Sequence, residues 1–512
     1  MLQSRAGLGP ARTAVTRDAS SSTHTAPAPA ADPVAPARTH RDLTQGPIGS
    51  TLLWFTLPAL GSTALQSLNA SVNAAWIGHY LGEAALSATS NANLLLFFLL
   101  GIVFGVSIAN SVLVGQAVGA RRLHEVKRIV GTSLSFFGLA SVVMAIVGAL
   151  ETPTILALMK TPPEAQPLAA AYLRVIFIAL PFMYLYNFLM MAMRGAGDSK
   201  TPFRFMLLSV GLDIALNPIL ILGLGPLPAM GIAGSATATL IAQTTSLVAM
   251  VVTLQRRRHL VSIGRHELGC LRIDGRILST LLRKGIPMGL QMLVISSSAL
   301  VMISLVNRHG SQVTAAYGVA SQLWTYVQMP ALALGASVSS MAAQNIGADR
   351  WDRVAAITRT GVAFNFAMTG LLVGALLWFD RGSLGIFLPG ESGAVGIARH
   401  INAVVAWSFV LFGITIVLFG TIRATGNVLP PLLILLVALW GVRLPFALVL
   451  EPRFGIDAIW WSFPVGFAVS LTLAAAYYRF GRWRGQRLID PEPVGDDAET
   501  GVGMPAGAVA ER

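Results

Sequence analysis

Long apolar runs alternate with short polar segments along most of this chain. Each run has about 20 residues, the length at which a helix crosses the hydrocarbon core of a membrane. The pattern therefore predicts an all-α integral membrane protein with twelve transmembrane helices. The predicted spans are 51–77, 90–114, 129–150, 168–192, 205–224, 231–254, 285–306, 315–340, 355–379, 397–421, 428–450 and 456–478.

The two halves of this pattern repeat. Pro58 and Pro287 lie early in the first span of their halves, 229 positions apart. Further pairs recur at 228 or 229: Gly82 with Gly310, Gly115-Gln116-Ala-Val-Gly119-Ala120 with Ala343-Gln344-Asn-Ile-Gly347-Ala348, and Arg194-Gly-Ala-Gly197-Asp198 with Arg423-Ala-Thr-Gly426-Asn427. Because the repeat covers six spans, an even number, both halves have the same orientation in the membrane. We expect two pseudo-symmetric six-helix lobes around a central cavity.

The composition divides the chain into five parts. Residues 1–46 are rich in Ala, Pro, Ser, Thr and Arg and lack an apolar signal segment, which predicts a disordered tail. An amino-terminal lobe follows at 47–254, then a basic inter-lobe linker at 255–284 and a carboxyl-terminal lobe at 285–480. The polar stretch 481–512 is predicted to be a second disordered tail.

Charge gives the orientation. The chain is 54% hydrophobic with a net charge of +13, and its mean hydropathy is +0.66. Placing both termini inside puts 28 of the 36 Lys and Arg on the inside and five on the outside, which is the distribution that the positive-inside rule requires. We expect a bacterial inner membrane protein with both termini in the cytoplasm. The basic residues lie in short clusters between spans, so we do not expect a nucleic-acid partner.

Several catalytic patterns are missing from the sequence. No lysine follows a glycine, so there is no phosphate-binding Gly-x-x-x-x-Gly-Lys loop. Neither His124-Glu125 nor His266-Glu267 continues to a zinc-protease motif, and the single Cys270 provides neither a disulfide nor a metal cluster. We therefore expect no enzyme activity, no resident cofactor and no metal site. Gly101-x-x-x-Gly105 is a place where two helices can approach closely, or ordinary packing.

Asp213 is the deepest acidic residue in the predicted membrane. It lies about ten residues beyond the basic edge at Arg204, near mid-membrane at about 1.5 Å per helical residue. A carboxylate at that depth costs about 3 kcal/mol or more and is a functional candidate by default. Asn217 follows at i+4, on the same helix face. The alternative for Asp213 is a buried ion pair, with Arg443 in span 11 as its counter-ion.

Three features of residues 43 to 480 point to a known family: the Gly-Gln-x-x-Gly-Ala loop, the Arg-Gly-x-Gly-Asp-x-x-x-Pro segment after span 4, and the duplicated arrangement of spans. By these features the chain resembles the multidrug and toxic compound extrusion (MATE) family. The resemblance implies two six-helix lobes in a V and antiport of organic, often cationic or amphiphilic, compounds against H⁺ or Na⁺. It also implies a cation site in the amino-terminal lobe. The positions of this chain that match that site are Asn73, Asn187, Asp213, Asn217 and Thr239.

This chain departs from the family pattern at the site. Asn73 stands where the family has Asp, and the family's Asn-x-x-x-Asp-Pro reads Asp213-Ile-Ala-Leu-Asn217-Pro218. One carboxylate remains, which favours H⁺ over Na⁺ because a second charge would best offset Na⁺ dehydration. Spans 7 and 10 contain no Asp or Glu, which points to the DinF-like branch. Pro58 and Pro218 each remove a backbone hydrogen bond, so each is a hinge candidate or a static kink.

The predicted function is secondary active efflux by alternating access. The expected partners are small organic substrates and the lipid bilayer, and we expect a monomer. A lipid-linked saccharide flippase of the same superfamily is one alternative, which would usually bring fourteen spans or a strongly basic cavity. A receptor or an intramembrane enzyme is an alternative of another class.

Overall fold

The computed structural model describes residues 42–159, 161–162, 164–223, 228–385 and 393–489. Within these ranges the chain is helical, and twelve helices have the length of a membrane span, as predicted. They are α1 Ile48–Gly82, α2 83–119, α3 Leu123–Leu150, α4 Gln166–Gly195, α5 Lys200–Leu222, α6 Ile232–Arg256, α7 Gly275–Asn307, α8 Ser311–Gly347, α9 Trp351–Trp378, α10 Gly393–Ala424, α11 Leu429–Phe454 and α12 Asp457–Phe480. The chain is therefore a multi-pass membrane protein.

Ten of these helices are long and apolar enough to cross a membrane in the part of the chain that the structure describes, and Val103–Gly119 of α2 is a shorter apolar stretch. Helices α2 and α8 occupy equivalent positions in the two lobes. Both carry buried polar side chains, among them Ser107 and Gln116 on α2 and Ser337 and Gln344 on α8. Both helices contact the opposite lobe towards their carboxyl ends, where Val112 of α2 shares a buried cluster with Ala342 and Ile346 of α8.

Backbone conformation supports the repeat. Gly82 and Gly310 lie in the turns between the first and second helices of their lobes and have φ of 80° and 95°. Gly197 and Gly426 follow the fourth helix of each lobe and have φ of 90° and 83°. Residues with a Cβ rarely adopt this region. The duplicated glycines therefore mark duplicated turns.

The lobes meet through their first two helices. A Cβ on Gly105 of α2 would lie 2.1 Å from the backbone nitrogen of Gly289 on α7, so only glycines allow this approach. Gly285 on α7 likewise packs against Val106. On the other side, Leu52 of α1 shares a buried cluster with α8. The Gly101-x-x-x-Gly105 motif thus includes one residue at a close helix contact between lobes.

The linker between the lobes is ordered and docks on α3. Lys127 and Arg128 of α3 form ion pairs with Glu267 and Asp274 of the linker. The Asp274 carboxylate accepts hydrogen bonds from the first backbone N–H groups of α7, which is a typical N-cap. Helix α7 consequently begins at Gly275, ten residues before the predicted start of its span.

The predicted tails need a correction where they adjoin the helices. Leu43 is fully buried and its backbone N–H donates to Gln344 Oε1. After α12, Trp483 and Ile489 are buried, and the N–H of Ile489 donates to Gln116 Oε1. Residues 42–46 and 481–489 are therefore anchored to the lobes through Leu43, Trp483 and Ile489, although most of their other side chains are exposed. The remainder of both predicted tails, 1–41 and 490–512, lies outside the described residues.

Candidate functional site

Polar side chains form stripes along three apolar helices of the amino-terminal lobe. Within each stripe they recur every three or four residues, so each stripe occupies one helix face. The stripes are Gln66, Asn69 and Asn73 on α1; Ser209, Asp213 and Asn217 on α5; and Ser235, Thr239 and Gln243 on α6. The fold turns these faces toward one another.

Asp213 lies at the centre of this arrangement and is 2% exposed. Its Oδ2 atom accepts hydrogen bonds from Asn69 Nδ2 and Asn73 Nδ2, both at 2.8 Å. Its Oδ1 atom accepts from Thr239 Oγ1 at 3.0 Å and from Asn217 Nδ2 at 3.4 Å. Two amides, one hydroxyl and a fourth, longer amide contact thus surround the carboxylate, and all four donors are neutral.

The structure brings together four of the five residues proposed from the sequence. Asn73 and Asn217 are also joined to each other, since Asn217 Nδ2 donates to Asn73 Oδ1 at 3.0 Å. Asn187 of α4 does not bond Asp213; its amide donates to Met183 O of its own helix at 3.0 Å. Asn187 lines the cavity beside the carboxylate instead.

Sequence reasoning missed Asn69, which donates to Asp213 as closely as Asn73 does. The signal was present in the chain, because Asn69 lies one helical turn before Asn73 and three residues after Gln66. A polar stripe on a membrane helix marks a face that avoids lipid.

A small cavity adjoins Asp213 inside the amino-terminal lobe. Its space of about 50 Å³ is enough for a few water molecules. Helices α1, α4, α5 and α6 contribute its walls, which include Gln66, Tyr186, Ser209 and Gln243 besides the residues already described. The carboxylate therefore borders a cavity with polar walls rather than a fully packed core.

Three buried acceptor oxygens on the side chains that contact Asp213 or line this cavity lack a hydrogen-bond partner among the described residues. They are Asn69 Oδ1, Asn217 Oδ1 and Gln243 Oε1. Buried polar atoms usually have a partner, and amide oxygens beside a carboxylate are ligands that suit a hard cation. The same oxygens suit the O–H of a protonated carboxyl or of water, after rotation of an amide. These oxygens therefore suit either a protonated Asp213 or a bound Na⁺.

The ion pair between Asp213 and Arg443 is not present. None of the ion pairs found in the described part of the chain includes either residue. Arg443 lies in the other lobe, where its guanidinium stacks on Phe463 with 3.5 Å between its central carbon and the ring centroid. The proposed counter-ion role is therefore wrong for this conformation, because neutral donors satisfy Asp213.

Neither candidate hinge breaks its helix. Helical geometry continues through Pro58 in α1 and through Pro218 in α5. In α1, the Ser62 hydroxyl donates to the Pro58 carbonyl. A hinge role at either proline stays a prediction.

One face of the molecule is closed between the lobes. We call it the linker face, because it holds the linker 257–274 and the loops 120–122, 196–199, 348–350 and 425–428. There, Gln116 Nε2 donates to Ala424 O at 2.7 Å, and Gln344 Nε2 donates to Gly195 O at 2.9 Å. The two acceptors are 229 positions apart and the two donors 228, so the repeat makes the same bond twice. This conformation joins the lobes at the linker face.

Comparisons with known proteins agree with this architecture. The MatE family profile matches the chain twice, at residues 58–219 and 287–449, which start 229 positions apart. The chain is 40% identical over 436 residues to the "Probable multidrug resistance protein YoeA" of Bacillus subtilis (strain 168), covering 85% of this chain and 94% of that protein. It is 30% identical to the "Probable multidrug resistance protein YpnP" of the same organism over 448 residues, 87% of this chain and 98% of that protein.

A solved structure has the same fold. The "outward-facing conformation of a multidrug resistance MATE family transporter of the MOP superfamily" superposes with a TM-score of 0.80 at 19% identity, over 87% of this chain and 98% of that chain. These matches do not test the DinF-like branch, which stays a prediction.

Proposed function

Because this chain belongs to the MATE family of multidrug transporters, we propose that it exports small organic compounds in exchange for H⁺ or Na⁺, with Asp213 as the coupling carboxylate. The observation that supports this most is the shell around Asp213: a buried carboxylate, four neutral donors and no ion pair among the described residues. A structural carboxylate at this depth would be expected to have a cationic partner.

The proposed coupling uses two states of one carboxylate. Burial disfavours a free negative charge, so Asp213 is stable when a proton neutralises it or when a cation sits beside it. Asn69, Asn73, Asn217 and Thr239 hold the carboxylate in place and stabilise its charged form while the ion is exchanged. We favour H⁺, because a single carboxylate is a weak replacement for the hydration shell of Na⁺.

Transport also requires the substrate site to open to each side of the membrane in turn, which is alternating access. The conformation described here joins the lobes at the linker face, through Gln116 and Gln344. We propose that these contacts separate when substrate enters from that side and form again when it leaves on the other. The expected substrates are organic cations or amphiphiles, and the transporting unit is one chain, since one chain supplies both lobes.

We place the protein in a bacterial inner membrane with the linker face in the cytoplasm. The support is the distribution of charge along the sequence: with this face in the cytoplasm, 28 of the 36 Lys and Arg belong to segments assigned to the inside and five to segments assigned to the outside. The positive-inside rule then sets the orientation.

Transport by proteoliposomes tests the proposal. Purified protein is reconstituted, and movement of ethidium is measured under an imposed H⁺ gradient without Na⁺, then under an Na⁺ gradient at uniform pH. We expect the H⁺ gradient to drive transport by the wild type and to have no effect on the Asp213→Asn variant. The neutral amide has nearly the same size, so the loss would come from the charge.

Asp352→Asn is the matched control, because Asp352 is an exposed carboxylate at the start of α9. It should transport like the wild type. Gradient-driven transport that survives in Asp213→Asn would rule out Asp213 as the coupling residue, and wild-type transport that follows neither gradient would rule out antiport.

A further inference from the structure

The carboxyl-terminal lobe contains a buried cation in the middle of a membrane helix. Arg443 is 6% exposed and ends a π-helical turn, Val437–Arg443, within α11. Its aliphatic stem packs on the Cα of Gly466 in α12. π-Helical turns in α-helices are often found at functional sites.

No acidic side chain neutralises Arg443 in the described part of the chain. The acidic residues near the ends of α11 and α12, Glu451 and Asp457, are paired with His309 and His400. A buried ionised group without a partner is costly. A ligand for the guanidinium would lower this cost.

The aromatic contact of Arg443 does not satisfy its hydrogen-bond donors. The guanidinium lies over the ring of Phe463, at 3.5 Å, so the ring interacts with the face of the group. The five N–H bonds lie in the guanidinium plane and point elsewhere. Nε is buried and has no hydrogen-bond partner among the described residues. Donors in this geometry suit a planar or spherical anion.

A second donor lies in the aromatic cluster that the guanidinium contacts. Tyr317 of α8 packs against Phe463, with 6.3 Å between ring centroids, and stacks on Trp460 at 5.8 Å. Tyr317 and Arg443 therefore contact the same ring, that of Phe463. Its hydroxyl makes no hydrogen bond to any described residue, although the ring itself is held by Trp324 and Trp460. A fixed ring with a free hydroxyl is a pre-organised donor.

The two lobes thus carry opposite charges at nearly the same depth. Asp213 is the fourteenth residue of α5, and Arg443 is the fifteenth of α11, the equivalent helix of the second lobe. We propose that Arg443 and Tyr317 form an anion-binding site in the carboxyl-terminal lobe, which takes one singly charged group, either a halide ion or the carboxylate of an organic compound. One guanidinium balances one negative charge, so the site does not suit a doubly charged phosphate.

Binding to the purified wild-type protein tests this proposal. Sodium bromide and sodium benzoate are titrated separately, by calorimetry in a zwitterionic buffer at low ionic strength. We expect saturable binding of at least one of them, and Arg443→Gln should weaken it by about tenfold to a hundredfold, as for the loss of hydrogen bonds to a charged group. Bromide binding alone identifies a halide site, and benzoate binding identifies a site for organic carboxylates.

Three variants make the result specific. Arg453→Gln removes the same charge from an exposed position on the same helix and should bind like the wild type. Arg443→Met replaces the cation with an apolar chain of similar length, and it serves if Arg443→Gln fails to fold. Asp213→Asn should also bind the anion normally, so this test is separate from that of the coupling carboxylate. Failure of the wild type to bind either anion, or unchanged binding by a folded Arg443 variant, would overturn the proposal.

Discussion

Gly119 of α2 lies directly against Gln344 of α8, so that a Cβ at Gly119 would be 1.9 Å from the carbonyl oxygen of Gln344. The repeat makes the same contact in the opposite direction, since a Cβ at Gly347 would be 2.0 Å from the carbonyl oxygen of Gln116. The duplicated Gly-Gln motifs therefore pack against each other across the lobe boundary. The absence of a side chain at each glycine lets the backbone of the glutamine in the opposite lobe approach closely.

Gly119→Ala should open the linker face. The added methyl group overlaps backbone, which cannot move aside as a side chain can, and overpacking of this kind costs about 1–3 kcal/mol. We therefore expect a Cys at the buried position 340, introduced as Ser340→Cys with Cys270→Ala, to react about tenfold or more faster with a maleimide. Gly370→Ala is the control, since nothing lies within 4 Å of its added Cβ. Equal reaction rates in both variants would show that this contact does not hold the face closed.

Asn69 should matter for transport as much as Asn73. Both amides donate to the same oxygen of Asp213 at 2.8 Å, and the loss of a hydrogen bond to a charged group costs about 1.5–3 kcal/mol. Asn69→Ala and Asn73→Ala should each lower gradient-driven dye export by about tenfold or more. Asn187→Ala should have a smaller effect, because Asn187 bonds its own helix. A larger loss in Asn187→Ala than in Asn69→Ala would contradict this assignment.

Much of the fold could be predicted because each membrane helix has its own apolar stretch of sequence. Apolar length identified all twelve spans, and the glycines that must adopt positive φ, such as Gly82 and Gly310, identified the repeat. Part of the candidate site could be predicted in the same way. Asp213 stood out by its depth, and Asn217 followed from helical spacing.

Contacts between distant parts of the chain could not be read in this way. Leu43 donates to Gln344, 301 positions away, and Ile489 donates to Gln116, 373 positions away. Each terminal segment is polar on average, so its composition resembles a disordered tail. The predicted ion pair between Asp213 and Arg443 was also wrong. Two opposite charges at similar depth suggested a pair, but the two residues lie in different lobes.

Asp198 should make stability depend on pH at the linker face. Its Oδ1 accepts from the N–H groups of Lys200 and Thr201, and its Oδ2 lies 3.6 Å from His259 Nε2. Burial alone raises the pKa of Asp198, but the interactions with His259 and Thr201 outweigh burial and place the pKa below its usual range. A lowered folded-state pKa adds stability above the unfolded pKa of about 3.9, and this stability is lost as the pH falls through the folded pKa.

Thermal unfolding of the purified protein measures this effect. We expect the difference in unfolding midpoint between wild type and Asp198→Asn to be constant near neutral pH and to shrink below about pH 4. Asp352→Asn, at an exposed carboxylate, should show a smaller and flatter difference. A difference that grows as the pH falls would contradict the sign of the predicted effect.

The single cysteine allows a direct test of orientation. Cys270 is half-buried in the linker, so an impermeant maleimide should label it in inside-out vesicles and not in intact cells. Ala229→Cys in a Cys270→Ala background should give the opposite result, because the exposed residue 229 follows α5 on the other face. Labelling of Cys270 from outside intact cells would reverse the proposed orientation.

Asp213→Asn combined with Arg443→Gln separates coupling from charge pairing. If the two residues neutralised each other, Asp213→Asn alone would strand a buried cation, at a cost of about 3–5 kcal/mol, and the double variant would recover both folding and coupled export. In the structure, Asp213 is held by four neutral donors and Arg443 by Phe463. We therefore expect Asp213→Asn to fold with nearly wild-type stability, as measured by its unfolding midpoint, and to have no coupled export.

The double variant should then remain uncoupled, because Arg443→Gln does not restore the carboxylate that Asp213→Asn removes. Recovery of gradient-driven export in the double variant would mean that the charges interact in another conformation of the transport cycle, and Asp213 would no longer be the coupling residue. A folded and uncoupled double variant would leave Asp213 with no role as a charge partner, and titration or cation binding would be the remaining reason for a carboxylate at this depth.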